Sequence, residues 1–369
     1  MTWADAFLQK ERLGSRSCCS IDTRVINVLQ TNTALPERII DLAYGFWHSK
    51  ALFAGVELDV FSKLADGPLD LATLTSRTGI HERGAREFFD ALVALGLLDR
   101  DAAGRYSNVP ESDRYLVRGN ANYLGGLLEH LDTRHYQNWT KLVQALVSGK
   151  PQSALGTESY AGFYADARKQ ELFLTGMSAG SLLAAQALAR RFPWNRYKTF
   201  LDVGTAEGCV PVEIASAHPH LQGIGFDLAC LEKAFTRYVR KHGLTGRLQF
   251  YPGDFFVDPL PRADVLVMGR ILHNWDRSIR TMLLEKAYRA TSPGGSLIIY
   301  DPLIDAERRS PHGLLSSLNM LLETSGGSEY SAAECESWMR AAGFGDIQVE
   351  PLGDMHVAVI GSKTDTAKD

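Results

Sequence analysis

The sequence has no run of eighteen uncharged apolar residues, no cysteines at metal-binding spacing and no excess of positive charge. Each absence closes off a class of protein. Without a long apolar run no membrane-spanning helix is expected, and the mixed charges of residues 1–33 leave no signal-type apolar segment. Five cysteines, Cys18, Cys19, Cys209, Cys230 and Cys335, are odd in number and scattered, with neither a CxxC pair nor a disulfide framework. A reduced, cytoplasmic chain with no membrane partner is the expectation. Lysine and arginine total 39 against 43 aspartates and glutamates, a formal charge of −4, which argues against phosphate-backbone binding. Nucleic acid is therefore not an expected partner. There is no internal repeat and no low-complexity tract.

What is present is enough apolar content, 45% over 369 residues, for two domains with separate cores. Residues 1–33 show no clear period and are read as a flexible N-terminal arm. From Pro36 the apolar positions Ile39, Leu42, Phe46, Leu52, Phe53, Val56, Val60 and Leu64 recur at helical spacing until the turn Asp66-Gly67-Pro68. A winged helix-turn-helix pattern follows: LDLATLTSRTGI, a turn at His81-Glu82, REFFDALVALGLLDR and a hairpin around Ala103–Tyr106. Its second helix carries Arg86 but also Glu87 and Asp90, and Phe88, Phe89, Leu92, Val93 and Leu95 demand burial, which again disfavours DNA. Residues 34–118 are thus expected to form a mainly helical, winged-helix-like domain. So much apolar surface on its leading helices predicts a homodimer through it. Residues 119–197 read as linking helices rich in aromatics, suited to walling a cleft between domains.

At Lys198 the pattern changes to apolar strands alternating with helical stretches: KTFLDVGTAEG, LQGIGFDL, GRLQFYPGDFF, ADVLVMGRIL and GGSLIIYDPLI. Alternation of this kind over 198–363 predicts an α/β fold, a Rossmann-like, doubly wound, mostly parallel sheet. The strand TFLDVG runs into the tight turn Gly204-Thr205-Ala206-Glu207-Gly208 and then a helix near Val210, the geometry of a nucleotide crevice. About twenty residues on, Asp227 ends the second strand where a carboxylate can accept from both hydroxyls of a ribose. The third strand leads to Asp254 and Phe255, an acceptor for an adenine amine and an aromatic face for its ring. Taken singly, these residues are equally loop punctuation, a helix cap and an ordinary turn. A parallel sheet brings all three strand ends to one carboxyl edge, and that favours an adenosine ligand. The turn is not G-x-G-x-x-G and no second nucleotide-binding half is evident, so a hydride cofactor is the weaker choice.

In order and spacing, LDVGTAEG, GFDL, GDFF, VLVMGRILHNWD and PGGSLIIYDPLI resemble the class I O-methyltransferases that use S-adenosylmethionine (SAM). The nearest likeness is the bacterial branch acting on small aromatic and polyketide acceptors, related to plant caffeate and hydroxyindole O-methyltransferases. The resemblance spans nearly the whole chain, because that family also has an N-terminal winged-helix-like dimerisation domain. It implies SAM as cofactor, S-adenosylhomocysteine (SAH) as product and a small-molecule acceptor. The departure is Gly-Thr-Ala-Glu-Gly where many members have a richer glycine turn. Gly204, Asp227, Leu228, Asp254, Phe255 and Arg270 are cofactor-binding candidates, and the resemblance adds Met177 and Ser181 on the preceding helix, toward the methionine end of SAM. Arg270 has two further readings, a clamp for a substrate carboxylate or a solvated side chain.

Methyl transfer to a phenol needs the hydroxyl positioned and its proton removed, and a histidine titrating near neutrality is a suitable base. His273, in ILHNWD after the fourth strand, matches the general base of the family's LHDW segment, with Asn274 in place of the aspartate. Asp301 in LIIYDP and Glu329 in GGSEYS match acidic residues that flank that histidine. Their alternatives are a turn former before Pro302 and a cap for a helix starting near Ser331. Asn319, Met320 and Glu323, in GLLSSLNMLLET, match the family's acceptor pocket, Met320 serving as core or pocket wall. These histidines and carboxylates lack a compact metal-ligand spacing, so no metal is expected. Two other enzyme readings keep SAM but methylate a thioether sulfur or an amine. A SAM-sensing winged-helix regulator and a catalytically silent subunit are the non-enzymatic ones.

Overall fold

The computed structural model describes residues 36–153, 156 and 160–364. The expected arm, residues 1–33 with Cys18 and Cys19, lies outside the described residues. The described residues fall into two units that divide between Ser49 and Lys50. In the first unit the described residues begin helix α1, Glu37–Glu57, where Ile39, Leu42, Phe46 and Trp47 are all exposed.

In the second unit, helices α2 (Leu71–Thr78) and α3 (Glu82–Ala94) and the hairpin of β1 (Leu98–Arg100) with β2 (Tyr106–Asn108) form the winged-helix pattern. Local chemistry sets its turns. Asp70 accepts from the Thr73 amide to cap α2, and Gly79, at φ +71°, ends it in the left-handed conformation. The face of α3 carrying Ala85, Phe89 and Leu92 is buried with Phe61, Leu74, Leu98 and Tyr106, as its apolar spacing demands. Arg83 and Arg86 remain exposed among Glu82 and Glu87.

Helix α4 (Ala167–Arg191) is long and apolar enough to cross a membrane by composition, yet half of its apolar window is buried inside this protein. Its alanine-rich C-terminal half packs on helix α5 (Cys209–Ala217) beside the sheet, which identifies it as a core helix. The sheet has the order β5-β4-β3-β6-β7-β9-β8. Its strands are β3 (Thr199–Val203), β4 (Gln222–Asp227), β5 (Leu248–Pro252), β6 (Ala263–Gly269), β7 (Thr291–Asp301), β8 (Gly345–Pro351) and β9 (Val357–Ser362). The first five pair in parallel, as expected; β9 runs antiparallel between β7 and β8. The sequence pattern carries no signal for that closing hairpin.

Alternation along the strands builds the two cores. Phe200, Val265, Val267, Ile298 and Tyr300 enter the core against α4 and α5. Leu201, Leu266, Met268, Leu297 and Ile299 enter the opposite one, under helices α6 (Arg277–Ala290) and α7 (Ala332–Ala341). A sheet covered on both faces needs such continuous apolar runs. The strand order reverses between β3 and β6, which opens a crevice at their carboxyl ends.

Candidate active site

At that crevice lies a cavity of about 450 Å³, within the range of small-molecule sites. Gly204 leaves β3 at φ +74°, and its amide donates to the Phe226 carbonyl at 2.8 Å. A Cβ on Gly204 would stand 2.3 Å from the Ile271 side chain, so only glycine lets the turn pass. Ala206 and Arg270, both lining the cavity, also adopt positive φ, 53° and 58°. Strained backbone of this kind gathers at functional sites.

Asp227 ends β4 and is held from two sides. Its Oδ2 accepts from the Ala206 amide and its Oδ1 from the Leu228 amide, each at 2.8 Å. Burial pushes its pKa up to about 6 while these amides pull it down. It is therefore a fixed acceptor pointing at the crevice, not the helix cap of the alternative reading. Asp254 accepts from the Phe256 amide at 2.9 Å, and Phe255, Phe256 and Trp275 form an aromatic cluster beside it. Met177, Ser181, Leu228 and Arg270 line the same cavity. Arg270 is half-buried with its Nε unpartnered, which corrects the solvated reading: its left-handed backbone turns the side chain inward against Gly180. Of the two residues that depart from a richer glycine turn, Thr205 lines the cavity with its buried hydroxyl unpartnered, whereas Glu207 is buried elsewhere.

The residues present fit SAM. The glycine turn leaves space for a backbone-close ligand, Asp227 is aimed where ribose hydroxyls would donate, and Thr205 Oγ1 and Trp275 Nε1 are orphaned polar atoms in the wall. Orphans of this sort are uncommon in buried positions unless a ligand completes them.

His273 sits on a single 3-10 turn, Leu272–Asn274, after β6 and is 4% exposed at the cavity wall. Its Nδ1 lies 2.7 Å from Glu329 Oε1 and 3.7 Å from Asp301 Oδ1. Both carboxylates are buried and neither lines the cavity, so they back the ring on its Nδ1 side and leave Nε2 to the open side. The cap role for Glu329 does not hold, whereas Asp301 both precedes a turn, its carbonyl accepting from the Leu303 amide at 2.9 Å, and turns its side chain into the core. Ser331 and Glu334 make the capping box of α7, and Asp301 accepts from the Tyr330 hydroxyl inside the core. Ser316 Oγ donates to Glu329 Oε1 at 2.8 Å, and the Ser328 amide donates to the His273 carbonyl at 2.9 Å. Gly327 permits that approach, since a Cβ there would be 2.5 Å from the same carbonyl.

Burial alone would lower the pKa of His273, but Glu329 and Asp301 outweigh it and the net direction is upward. Asp301 is pushed up to about 6, chiefly by burial, with the imidazole pulling it back. These three residues could offer three metal ligands within 4.8 Å of one another. The 2.7 Å between Nδ1 and Oε1 is nevertheless a hydrogen bond and too short for neighbouring ligands of one ion, which at bond lengths of about 2.1 Å lie at least ~3 Å apart.

Asn319, Met320 and Glu323, on helix α8 (Pro311–Glu323), are all buried and line the cavity's far wall, so Met320 is a wall residue. Glu323 is bound by Arg134 and by Asn138 Nδ2 at 2.8 Å, and Asn319 Oδ1 accepts from Trp139 Nε1 at 3.0 Å. Arg134 belongs to a π-helical segment, Leu131–Tyr136, and its guanidinium also lies over Phe163. Sequence reasoning missed Arg134, Asn138, Trp139, His130, His135 and Trp275. For all but Trp275, which lies in the ILHNWD segment, the aromatic richness of 119–197 was the signal, but no spacing singled them out.

A family model described as an O-methyltransferase domain matches residues 139–345, and one described as an O-methyltransferase dimerisation domain matches residues 40–118. The chain is 41% identical over 334 residues to the tetracenomycin polyketide synthesis 8-O-methyl transferase TcmO of Streptomyces glaucescens, covering 90% of this chain and 98% of that protein. It is 37% identical to the N,N-dimethyltransferase OxyT of Streptomyces rimosus, covering 86% and 93%. Among solved structures, human N-acetylserotonin methyltransferase in complex with SAM superposes with a TM-score of 0.82 at 28% identity, covering 90% of this chain and 99% of that one.

Proposed function

The chain belongs to the O-methyltransferase family and is a SAM-dependent methyltransferase, and on that premise we propose that it methylates a hydroxyl of a small aromatic, polyketide-type acceptor with His273 as base. The observation that carries the reading is the buried imidazole at the cavity wall, backed on Nδ1 by Glu329 at 2.7 Å. SAM bound in the crevice supplies a methyl group on a sulfonium centre, transferable in line to an oxygen nucleophile.

The chain's own residues do the rest. Gly204, Asp227, Leu228, Asp254, Phe255, Met177, Ser181 and Arg270 hold the cofactor. Asn319, Met320 and Glu323 bound the acceptor, and their burial excludes water from the hydroxyl. Neutral His273 takes the phenolic proton at Nε2 while its Nδ1–H donates to Glu329. That bond fixes the tautomer, and the imidazolium formed is stabilised by Glu329 and Asp301. In water a phenol is largely protonated at neutral pH, so a positioned base lowers the barrier where the sulfonium alone does not.

The similarity to an N,N-dimethyltransferase supports a second reading, transfer to an amine, in which His273 positions rather than deprotonates. Incubation with SAM and matched phenols, arylamines and small thioether acids, followed by SAH release and product mass, separates the readings. The first predicts that phenols gain fourteen mass units; product from amines or thioethers alone refutes it.

The exposed apolar residues of α1, within the segment matched by the dimerisation model, support a homodimer. Light scattering at a mass near 40.7 kDa, that of one chain, would contradict it. The compartment is read as the cytoplasm.

A further inference from the structure

The far end of the cavity holds a second polar group that proton removal does not use. His130 ends the short helix Gly125–His130 and lines the cavity at 3% exposure. Gly176 of α4 makes room for it, since a Cβ there would lie 2.5 Å from that of His130. The ring stands edge-on to His135 at 4.9 Å and to Phe173 at 5.7 Å, so packing fixes its plane. Neither ring nitrogen has a hydrogen-bond partner among the described residues, and Nε2 is fully buried. An imidazole that lines a cavity and has no hydrogen-bond partner in the protein marks a place for a ligand atom.

The two imidazoles at this wall are uncharged. Burial pushes His130 down to about 2 and His135 to about 4, so both rings are neutral at pH 7. Arg134 is engaged by Glu323, and the unpaired Arg270 guanidinium adds to the effects that hold both rings neutral. The two rings therefore offer hydrogen bonds without carrying charge themselves.

We propose that His130, with His135 beside it, binds a second oxygen of the acceptor, a neutral ketone or quinone carbonyl, while the hydroxyl to be methylated stands at His273. The inference rests on the reading of this cavity as the acceptor site of a methyl transfer. A neutral imidazole N–H meets a carbonyl without stripping water from a charge, whereas a carboxylate would exchange its hydration for two uncharged rings. A polycyclic phenol with no second oxygen leaves the imidazole unpaired, and sites built to hydrogen-bond a ligand group reject analogues that lack it. His130 thus selects oxygenated acceptors.

The test is calorimetric binding to the SAH-loaded protein, which requires no turnover, with 2-naphthol, 6-acetyl-2-naphthol, 2-hydroxyanthraquinone and 6-hydroxy-2-naphthoate as probes. In wild type a carbonyl probe should bind about five- to tenfold more tightly than 2-naphthol, the worth of one hydrogen bond. His130→Phe, which keeps a planar ring, and His130→Leu should both bring that ratio to about one, and His130→Gln should keep part of it. SAH affinity equal to wild type shows that a variant is folded. An unchanged carbonyl ratio in the folded non-polar variants overturns the proposal, as does dependence on His130 confined to the carboxylate. Failure of all four phenols to bind wild type overturns this proposal and the acceptor reading together. Binding that depends on His130, without transfer once SAM replaces SAH, overturns only the acceptor chemistry.

Discussion

Glu329→Gln isolates the charge behind the base while keeping the shape. In the protein Glu329 Oε1 accepts from His273 Nδ1 at 2.7 Å and from Ser316 Oγ at 2.8 Å, with both ring and carboxylate buried. An amide oxygen can keep both hydrogen bonds, so the loss is the difference between a charged and a neutral acceptor. Hydrogen bonds to charged groups contribute about 1.5–3 kcal/mol against about 1 kcal/mol for neutral ones. The imidazolium that forms during transfer should therefore lose roughly 1–2 kcal/mol, a five- to thirtyfold fall in kcat. The pH profile carries the sharper signature. Glu329 is among the groups that raise His273, so the variant's pKa must fall. Wild-type kcat/KM should rise with pH through a pKa above 6.5 as the imidazole loses its proton. In the variant that limb moves to lower pH, and the deficit narrows in acid. Stopped assays of SAH release from pH 5.5 to 9 read both effects. A limb that stays in place would refute the reasoning, even with activity lost.

Asp227→Ala removes the fixed carboxylate between the Ala206 and Leu228 amides and should weaken SAM binding at least tenfold by calorimetry, with the acid limb unmoved. Arg280 is buried on α6, donates to the Leu272 and Ser328 carbonyls and lies over Tyr330 and Trp338. It thereby ties the turn holding His273 to the segment holding Glu329. Arg280→Met should cost about 1–3 kcal/mol in urea unfolding and lower kcat more than SAM affinity. His130 has a folded pKa depressed well below 6.5, so its contribution to stability is present above pH 6.5 and is lost as pH falls. Between about pH 6 and 4 the stability of His130→Phe should fall less steeply than that of wild type, by up to about 1.4 kcal/mol per pH unit. Parallel curves would contradict a neutral buried ring.

The parallel sheet was legible because apolar strands recur just before Gly204, Asp227 and Asp254, so each strand end also carried a candidate ligand contact. The hairpin of β8 and β9 was not. GDIQVEP alternates with little apolar content and all seven of its residues are exposed or half-exposed at the sheet edge, so burial left no continuous signal there. His273 stood out through its motif, but the choice between Glu329 as helix cap and as its partner needed Gly327, which brings the segment against the His273 carbonyl. Arg134, His130 and His135 were illegible for a different reason. The π-helical register of Leu131–Tyr136 breaks the 3.6-residue spacing by which a helix face is read from sequence.

The central claim is a proton removed from an acceptor hydroxyl by His273. Its most direct measurement is the single-turnover rate of methyl transfer to a phenol that wild type methylates, compared between wild type and His273→Ala, each saturated with SAM. General-base catalysis by His273 predicts a fall of about two to four orders of magnitude, with SAM affinity held within a few-fold and the deficit shrinking for acceptors whose phenol is already ionised. A loss under about tenfold, or one that is the same for acidic and weakly acidic phenols, would contradict it.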